Sequence, residues 1–224
     1  YFFFEIPSNM ILERVGARVW IARIMVTWGL INAGMAFVQT PMQFYVMRFL
    51  IGFAEAGFFP GIVLYLTYWF PTSHRGRIMA LFMASLAICG IVGGPFSGAV
   101  MQYLDGVYAL HGWQWLMLLT GLPCLVLAVA VWFMLTDRPE HADWLSAQEK
   151  QVLGAAIHAD ASAPEAKPSS GALRNRYTWI SSLTYFLLVC GAYGMSFWIP
   201  SILANAGMTS FAEIGLVSAI PNVA

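Results

Sequence analysis

Residues 113–135 read WQWLMLLTGLPCLVLAVAVWFML and contain no Asp, Glu, Lys or Arg. A helix needs about 20 predominantly apolar residues to cross the hydrocarbon core of a bilayer. Similar stretches occur at 20–38, 44–70, 78–104 and 178–203. The chain also begins and ends inside apolar runs. The sequence therefore predicts an all-α membrane protein with five whole helices and two partial ones, as an internal fragment of a longer chain.

The composition excludes an ordinary soluble domain. The chain is 59% hydrophobic and 10% charged, whereas a soluble domain is about 45–50% apolar and about 25% charged. Its net charge is zero, which gives no support for a nucleic-acid partner. The three cysteines lie in apolar runs without metal-ligand spacing, so we expect them to pack and expect neither a metal nor a cofactor. Lipid is the expected solvent.

The basic residues predict the orientation in the membrane. The connections at 39–43, 105–112 and 205–210 contain no Lys or Arg, so they face outward by the positive-inside rule. The intervening connections and their approaches face the cytoplasm, and they hold Arg14, Arg18, Arg23, Arg75, Arg77, Arg138, Lys150, Lys167, Arg174 and Arg176. We expect a multi-pass protein of the bacterial cytoplasmic membrane.

A polar segment divides the membrane helices into two blocks. Ser146 and Glu149 fit a capping box that opens a short amphipathic helix over 147–157 inside this segment. The predicted parts are an N-terminal bundle at 1–136, a cytoplasmic linker at 137–176 and the start of a second bundle at 177–224.

Three ionisable residues, Glu5, Arg48 and Glu55, lie within apolar stretches. A charge near the bilayer centre costs at least ~2.5–3.5 kcal/mol on insertion scales, so it needs a partner, a cavity or a function. Arg48 and Glu55 share one helix face because seven residues at about 100° each nearly complete two turns, and Gly52 clears space between them. A guanidinium binds carboxylate bidentately, and a partly buried Glu exchanges a proton near neutral pH.

Other interpretations of these charges remain open. Arg48 lies toward the outer end of its helix, where its side chain would snorkel to the interface. Arg48 and Glu55 would alternatively form a structural ion pair, although their spacing is long for one. Glu5, just before Pro7, is either a second proton site or a structural residue.

Several motifs, in order, carry a family resemblance. They are NMILERVGAR at 9–18, RFLIGFAEAGFFP at 48–60, YWFP at 68–71 with Arg75 and Arg77 after it, GIVGGPFSG at 90–98, GWQW at 112–115, the start of the central loop at 137–146, and YGMSFWIP at 193–200. In this order and spacing the whole chain resembles the major facilitator superfamily and, within it, the anion:cation symporter family.

The resemblance implies helices two to seven and the start of helix eight of a twelve-helix protein, in which two six-helix bundles rock about a central site. It makes Arg48 the ligand of the substrate carboxylate and Glu55 the proton-coupling acid. Tyr1 and Tyr193 would line the cavity with hydroxyl groups, or else simply pack. The resemblance further implies a cytoplasmic loop motif, carried by Glu13, Arg14, Gly16, Arg18, Arg75 and Arg77. It also implies close helix packing at Gly52, Gly94, Pro95 and Gly98.

Two departures from the family stand out. Thr120 occupies a position where many relatives have a glutamate, so an acidic contact in helix six is expected to be absent. Helix one, which carries further substrate and proton residues in the family, lies outside the sequence.

The predicted function is proton-coupled uptake of small organic anions by a monomer, with a leaning toward tartrate-like or aromatic acids. The alternatives are an efflux antiporter for drugs or sugars on the same scaffold and a non-transporting membrane receptor or scaffold. No catalytic Ser/His/Asp set or phosphate-cradling loop favours an enzyme, and the four histidines lie apart in connecting segments at 74, 111, 141 and 158.

Overall fold

The computed structural model describes residues 2–162 and 175–222. Within these ranges the regular structure is helical, which confirms the all-α prediction. Short 3₁₀ turns extend or separate several of the α-helices. In chain order the α-helices are α1 (Phe2–Val15), α2 (Ala17–Gly34), α3 (Pro41–Glu55), α4 (Phe58–Trp69), α5 (Thr72–Tyr103), α6 (Gly112–Met134), α7 (Ala147–Ser162), α8 (Arg176–Asn205) and α9 (Phe211–Ala219).

Five helical segments of the described chain are long and apolar enough to cross a membrane, which confirms the five predicted spans. Each extends its predicted stretch at one end or both. They are Ala17–Phe37, Pro41–Trp69, Thr72–Tyr103, Gly112–Met134 and Arg176–Asn205.

The second span is broken within the stretch 44–70 that the sequence predicted as one membrane helix. Helix α3 ends at Glu55, and Gly57 adopts a left-handed conformation (φ 87°, ψ 0°) before α4 begins. A side chain at Gly57 would overlap Ser8 of α1, so only glycine permits this approach. An unbroken helix would also press the ring of Pro60 against the carbonyl of Ala56. The break places Glu55 at a helix end inside the span.

The first compact unit comprises the described part of 1–83 together with 103–160. Its main contact is the crossing of α2 and α6, where Gly29 faces Gly121 and leaves no room for a side chain on either helix. Small residues let transmembrane helices approach to backbone contact in this way. Near the turn that joins α1 to α2, Leu12 of α1 and Ile21 of α2 are almost completely buried.

Residues 137–160 of the predicted linker belong to this first unit. The ring of Trp144 stacks on Trp69 of α4, with centroids 5.7 Å apart and planes 6° from parallel. The guanidinium of Arg138 lies 5.0 Å from the ring centroid of Tyr68. The start of the linker is therefore folded against the C-terminal end of α4.

The predicted capping box at the start of α7 is confirmed. The hydroxyl of Ser146 accepts from the Glu149 N–H (3.3 Å), and the Glu149 carboxylate accepts from the Ser146 N–H (2.9 Å) and hydroxyl (2.8 Å). Because both bonds to the carboxylate favour its ionised form, they hold the pKa of Glu149 below its usual value. Helix α7 continues beyond the predicted 147–157, to Ser162.

The second compact unit comprises residues 84–102 and the described part of 161–224. In it the second half of α5 contacts α9 through glycine. A Cβ atom at Gly94 would lie 2.7 Å from the carbonyl oxygen of Gly215, and one at Gly98 would overlap the carbonyl of Phe211. These compact units are divided at other positions than the three predicted parts, whose boundaries at 136 and 176 stay a prediction.

Candidate functional site

Arg48 lies on α3, and its side chain is exposed. Its guanidinium carbon is 5.2 Å from the ring centroid of Phe44, one turn earlier on the same helix. Among the side chains that the structure describes, no carboxylate lies within 4.0 Å of this guanidinium. The ion pair found among them is elsewhere, the exposed contact of His111 with Asp105 at 3.7 Å. The ion pair between Arg48 and Glu55 is therefore not formed, and the binding of an anion by Arg48 stays a prediction.

Glu55 is the last residue of α3 and lies on the same face as Arg48, since α3 is continuous between them. The rise of about 1.5 Å per residue separates the two by about 10 Å along the axis. Glu55 borders a cavity of about 200 Å³ in the first unit and is the one lining residue with a carboxylate. The other lining residues are Ile24, Met25, Trp28, Phe58 and Cys124. The side chain of Glu55 is itself exposed, and its role as a proton carrier stays a prediction.

The remaining predicted site residues are dispersed. Glu5 lies half-buried on α1 in the first unit. Tyr193 belongs to α8 in the second unit, where its exposed ring is 6.2 Å from that of Phe197. Tyr1 lies outside the described residues. The structure thus places Arg48 and Glu55 on one face and leaves the roles of Glu5 and the tyrosines as predictions.

The first part of the loop motif joins α1 to α2 at a sharp turn. Gly16 has φ 98°, and its Cα faces the carboxylate of Asp137. That carboxylate accepts from the backbone N–H of Arg18 at 2.7 Å, in the first turn of α2. A carboxylate is favoured at this position because the first N–H groups of a helix lack partners and carry partial positive charge. Glu13 and Arg14 are exposed, so the observed cap comes from the linker.

The second part of the loop motif caps α4. The Nε of Arg75 donates to the carbonyl of Phe70 at 2.9 Å, and its terminal nitrogen donates to the carbonyl of Thr67 at 3.4 Å. A cation is favoured here because the last carbonyls of a helix are unpaired and partially negative. Arg77, two residues later, is exposed. Arg75 therefore fastens the end of α4 to the start of α5.

The glycines predicted to pack differ in their surroundings. Gly94 and Gly98 face α9, as described above, and Pro95 between them lies inside α5. Gly52 lies within α3 and is half-exposed. Helix contact is thus observed for the α5 glycines, and the role of Gly52 stays a prediction.

One polar residue was missed by the sequence analysis. Asn32 of α2 is 8% exposed, and its amide donates to the carbonyl of Met117 (3.0 Å) and to the hydroxyl of Thr120 (2.9 Å) on α6. Thr120 is the position at which an acidic contact was expected to be absent. A neutral hydrogen bond joins the helices there, and an asparagine within an apolar span was the available signal.

Comparison with known proteins identifies the scaffold. The family model described as Major Facilitator Superfamily matches residues 1–224, the whole chain. The chain belongs to this superfamily. Its helical structure and apolar spans agree with that assignment. Membership of the superfamily agrees with the expectation of a transporter rather than an enzyme.

Named relatives of this superfamily member are transporters. It is 46% identical over 228 residues to a protein of Pseudomonas putida named as the metabolite transport protein NicT. It is 44% identical over 225 residues to a protein of Agrobacterium vitis named as a tartrate transporter, and 40% identical over 226 residues to a quinolone resistance transporter of Acinetobacter baumannii. Each match covers all of this chain but 52%, 50% and 52% of the respective relative. The chain spans about half the length of these curated relatives.

Proposed function

We propose that the full-length protein imports small organic anions together with protons by alternating access. The observation that carries the proposal is the guanidinium of Arg48, which lies in a membrane span without a carboxylate partner among the described side chains. Retaining an unpaired charge in a span is costly, so a ligand that pairs with it during the cycle gives a reason for its presence. The planar guanidinium matches the two oxygens of a carboxylate. Carboxylates, hydroxy acids and sugar acids are the proposed substrates.

Glu55 is the proposed proton-coupling group. It shares a face with Arg48, stands where the span is broken, and borders a mainly apolar cavity. Helices interrupted within the membrane are where transporters of several folds place substrate and coupling-ion sites. Glu5 is proposed as a second proton site, and Tyr1 and Tyr193 as hydroxyl groups of the cavity. The proposed setting is the bacterial cytoplasmic membrane, with the protein acting as a monomer.

Uptake of radiolabelled tartrate into proteoliposomes containing the full-length protein tests this proposal. Tartrate is chosen because a relative is named for its transport. An inward proton gradient should drive accumulation, and Arg48→Ala should reduce it at least about 100-fold, since a bidentate charged contact is lost. Arg176→Ala is the matched control because Arg176 is an exposed cation at the end of another span. Equal uptake by the Arg48 and Arg176 variants would refute the assignment of Arg48.

Glu55→Gln tests the proton step separately. The amide retains the size of the side chain but cannot release a proton. We expect it to abolish gradient-driven accumulation while leaving tartrate exchange across the membrane intact. Accumulation that follows the proton gradient as in the parent protein would exclude Glu55 as the coupling group.

Export is the second candidate function, and the name of the Acinetobacter baumannii relative favours it. In that case a proton gradient directed into the vesicle would expel a preloaded fluoroquinolone rather than accumulate tartrate. Measuring both fluxes in the same vesicles decides between import and export.

A further inference from the structure

The outer ends of α5 and α9 are joined by a polar contact that the proposed transport site does not involve. The side-chain oxygen of Gln102, next to the last residue of α5, accepts two hydrogen bonds. One comes from the hydroxyl of Ser210 (2.8 Å) and the other from the backbone N–H of Ala212 (2.9 Å), at the start of α9. We name these three residues the Gln102 clasp.

The clasp completes the cap of α9. The hydroxyl of Ser210 accepts from the N–H of Glu213 at 3.3 Å, so the N-cap side chain satisfies one first-turn donor. Gln102 satisfies another, the N–H of Ala212, which has no partner within its own helix. The side-chain oxygen of Gln102 thus accepts from both the N-cap residue and the first turn of α9, although Ala212 lies 110 residues further along the chain.

The two helices are positioned for this contact by their glycines. Gly94 and Gly98 of α5 admit the backbone of α9 at Gly215 and Phe211 without an intervening side chain. The contact is backbone to backbone and contains no ion pair among the described residues. The hydrogen bonds of Gln102 are therefore the directional component of an otherwise apolar contact.

Charge places the clasp on the outer side of the membrane. The connections that follow α5 and precede α9, at 105–112 and 205–210, contain no Lys or Arg. In the superfamily topology α5 belongs to the first six-helix bundle and α9 to the second, so the clasp links the two halves on their outer side. Alternating access requires the halves to separate on each side in turn.

We propose that Gln102 is a positioning residue of the transport cycle, which holds the outer ends of α5 and α9 together while the outer side is closed. Its two hydrogen bonds break each time the transporter opens outward. This proposal rests on membership of the superfamily and does not depend on the anion or proton assignments.

Thiol accessibility in the full-length protein measures the outward-open population. Ser97 is suitable because it borders a cavity of about 350 Å³ that α5, α8 and α9 form within the second unit. The probe is a membrane-impermeant maleimide added outside to Ser97→Cys protein. Cys89, Cys124 and Cys190, together with any cysteine elsewhere in the full-length protein, are first replaced by alanine. Gln102→Leu retains the bulk of the side chain without its acceptor. Loss of two neutral hydrogen bonds between transmembrane helices corresponds to about tenfold in an equilibrium, so labelling should accelerate about tenfold.

Two further variants separate the clasp from general damage. Gln102→Glu restores acceptor oxygens at the positive end of α9, so its labelling rate should equal or fall below that of the parent. Gln43→Leu is the matched control, since the side-chain oxygen of Gln43 also accepts two backbone hydrogen bonds, from Gln39 and Thr40, but only at the start of its own helix. Its labelling rate should not change.

Transport kinetics provide a readout that simple loss of folded protein does not reproduce. A larger outward-open population raises the apparent affinity for external substrate, because less of the protein must change conformation before binding. Gln102→Leu should therefore lower KM for external tartrate while lowering the maximal rate. Labelling of Gln102→Leu at the rate of the parent or of Gln43→Leu would overturn the proposal. Equally fast labelling of Gln102→Glu and Gln102→Leu would also overturn it. The labelling assay needs no substrate, so both of these outcomes remain decisive even if tartrate is not transported.

Discussion

The crossing of α2 and α6 makes Gly121→Ala the most informative test of the packing. A Cβ atom at this position would lie 2.8 Å from the backbone nitrogen of Ala33 and 2.8 Å from the carbonyl oxygen of Gly29. Both obstacles are backbone atoms, which cannot rotate away as a side chain does. An ordinary van der Waals contact begins at 3.4 Å. The helices must therefore separate by about 0.6 Å, the difference between 3.4 and 2.8 Å, to admit one methyl group.

The energetic cost has two parts. Overpacking of a close-packed contact costs about 1–3 kcal/mol. The same separation would lengthen the 2.9 Å bond from Asn32 to Thr120 toward the limit for a hydrogen bond, and such bonds between transmembrane helices average about 0.6 kcal/mol. Alanine also gains up to about 1 kcal/mol in helix propensity over glycine inside α6, so we expect Gly121→Ala to lower the free energy of unfolding by about 1–2 kcal/mol in total.

The assay is reversible unfolding of the full-length protein in mixed micelles, titrated with sodium dodecyl sulfate and followed by far-UV circular dichroism. Gly154→Ala is the control, because a Cβ atom at Gly154 on α7 meets nothing within 4 Å. This control should gain up to about 1 kcal/mol from the better helix propensity of alanine. The packing argument fails if Gly121→Ala unfolds within about 0.5 kcal/mol of the parent, since that is the scale of a surface substitution.

Two predictions concern the linker. Glu149 has a lowered pKa, so its contribution to the start of α7 is present above its unfolded value near 4.5 and is lost as the pH falls below it. Amide exchange at the start of α7 should accelerate over that range, and Glu149→Gln, which cannot titrate, should remove the pH dependence. Trp144→Ala removes the stack on Trp69, and aromatic pairs contribute about 0.5–1.5 kcal/mol, so tryptic cleavage after Lys150 should accelerate about fivefold. An unchanged cleavage rate would mean that the stack does not hold the linker.

The sequence predicted the features that depend on local composition. The five spans follow from runs of apolar residues long enough to cross a bilayer, and their ends fell within several residues of the observed ones. The capping box at Ser146 was predicted for the same reason, because its hydrogen bonds join residues three positions apart. The shared face of Arg48 and Glu55 required only that their helix be continuous, which α3 is.

Features that depend on distant contacts were not predictable in this way. Glycine and proline occur throughout the spans, so composition did not indicate which of them would interrupt a helix. The break at Gly57 is explained by Ser8 of another helix, which occupies the space a side chain would need. Likewise the cap of α2 comes from Asp137, 119 residues after its donor at Arg18. A sequence motif identifies the helix N-terminus whose N–H groups lack acceptors, but not the distant residue that accepts from them.

The contact between α5 and α9 has the chemistry that the proposed separation of two halves requires. Breaking a buried ion pair by removal of one partner costs about 3–5 kcal/mol, because a charge is left without compensation. At the contact between α5 and α9 the bonds are instead the neutral hydrogen bonds of Gln102, over glycine contacts that retain no unpaired charge when they open. Two such bonds between transmembrane helices bias an equilibrium about tenfold, which is enough to favour one conformation and small enough for a bound ligand to reverse. On this reasoning a charged contact, such as that of Asp137 with the N–H of Arg18, suits helices that stay together, and a neutral residue suits position 102.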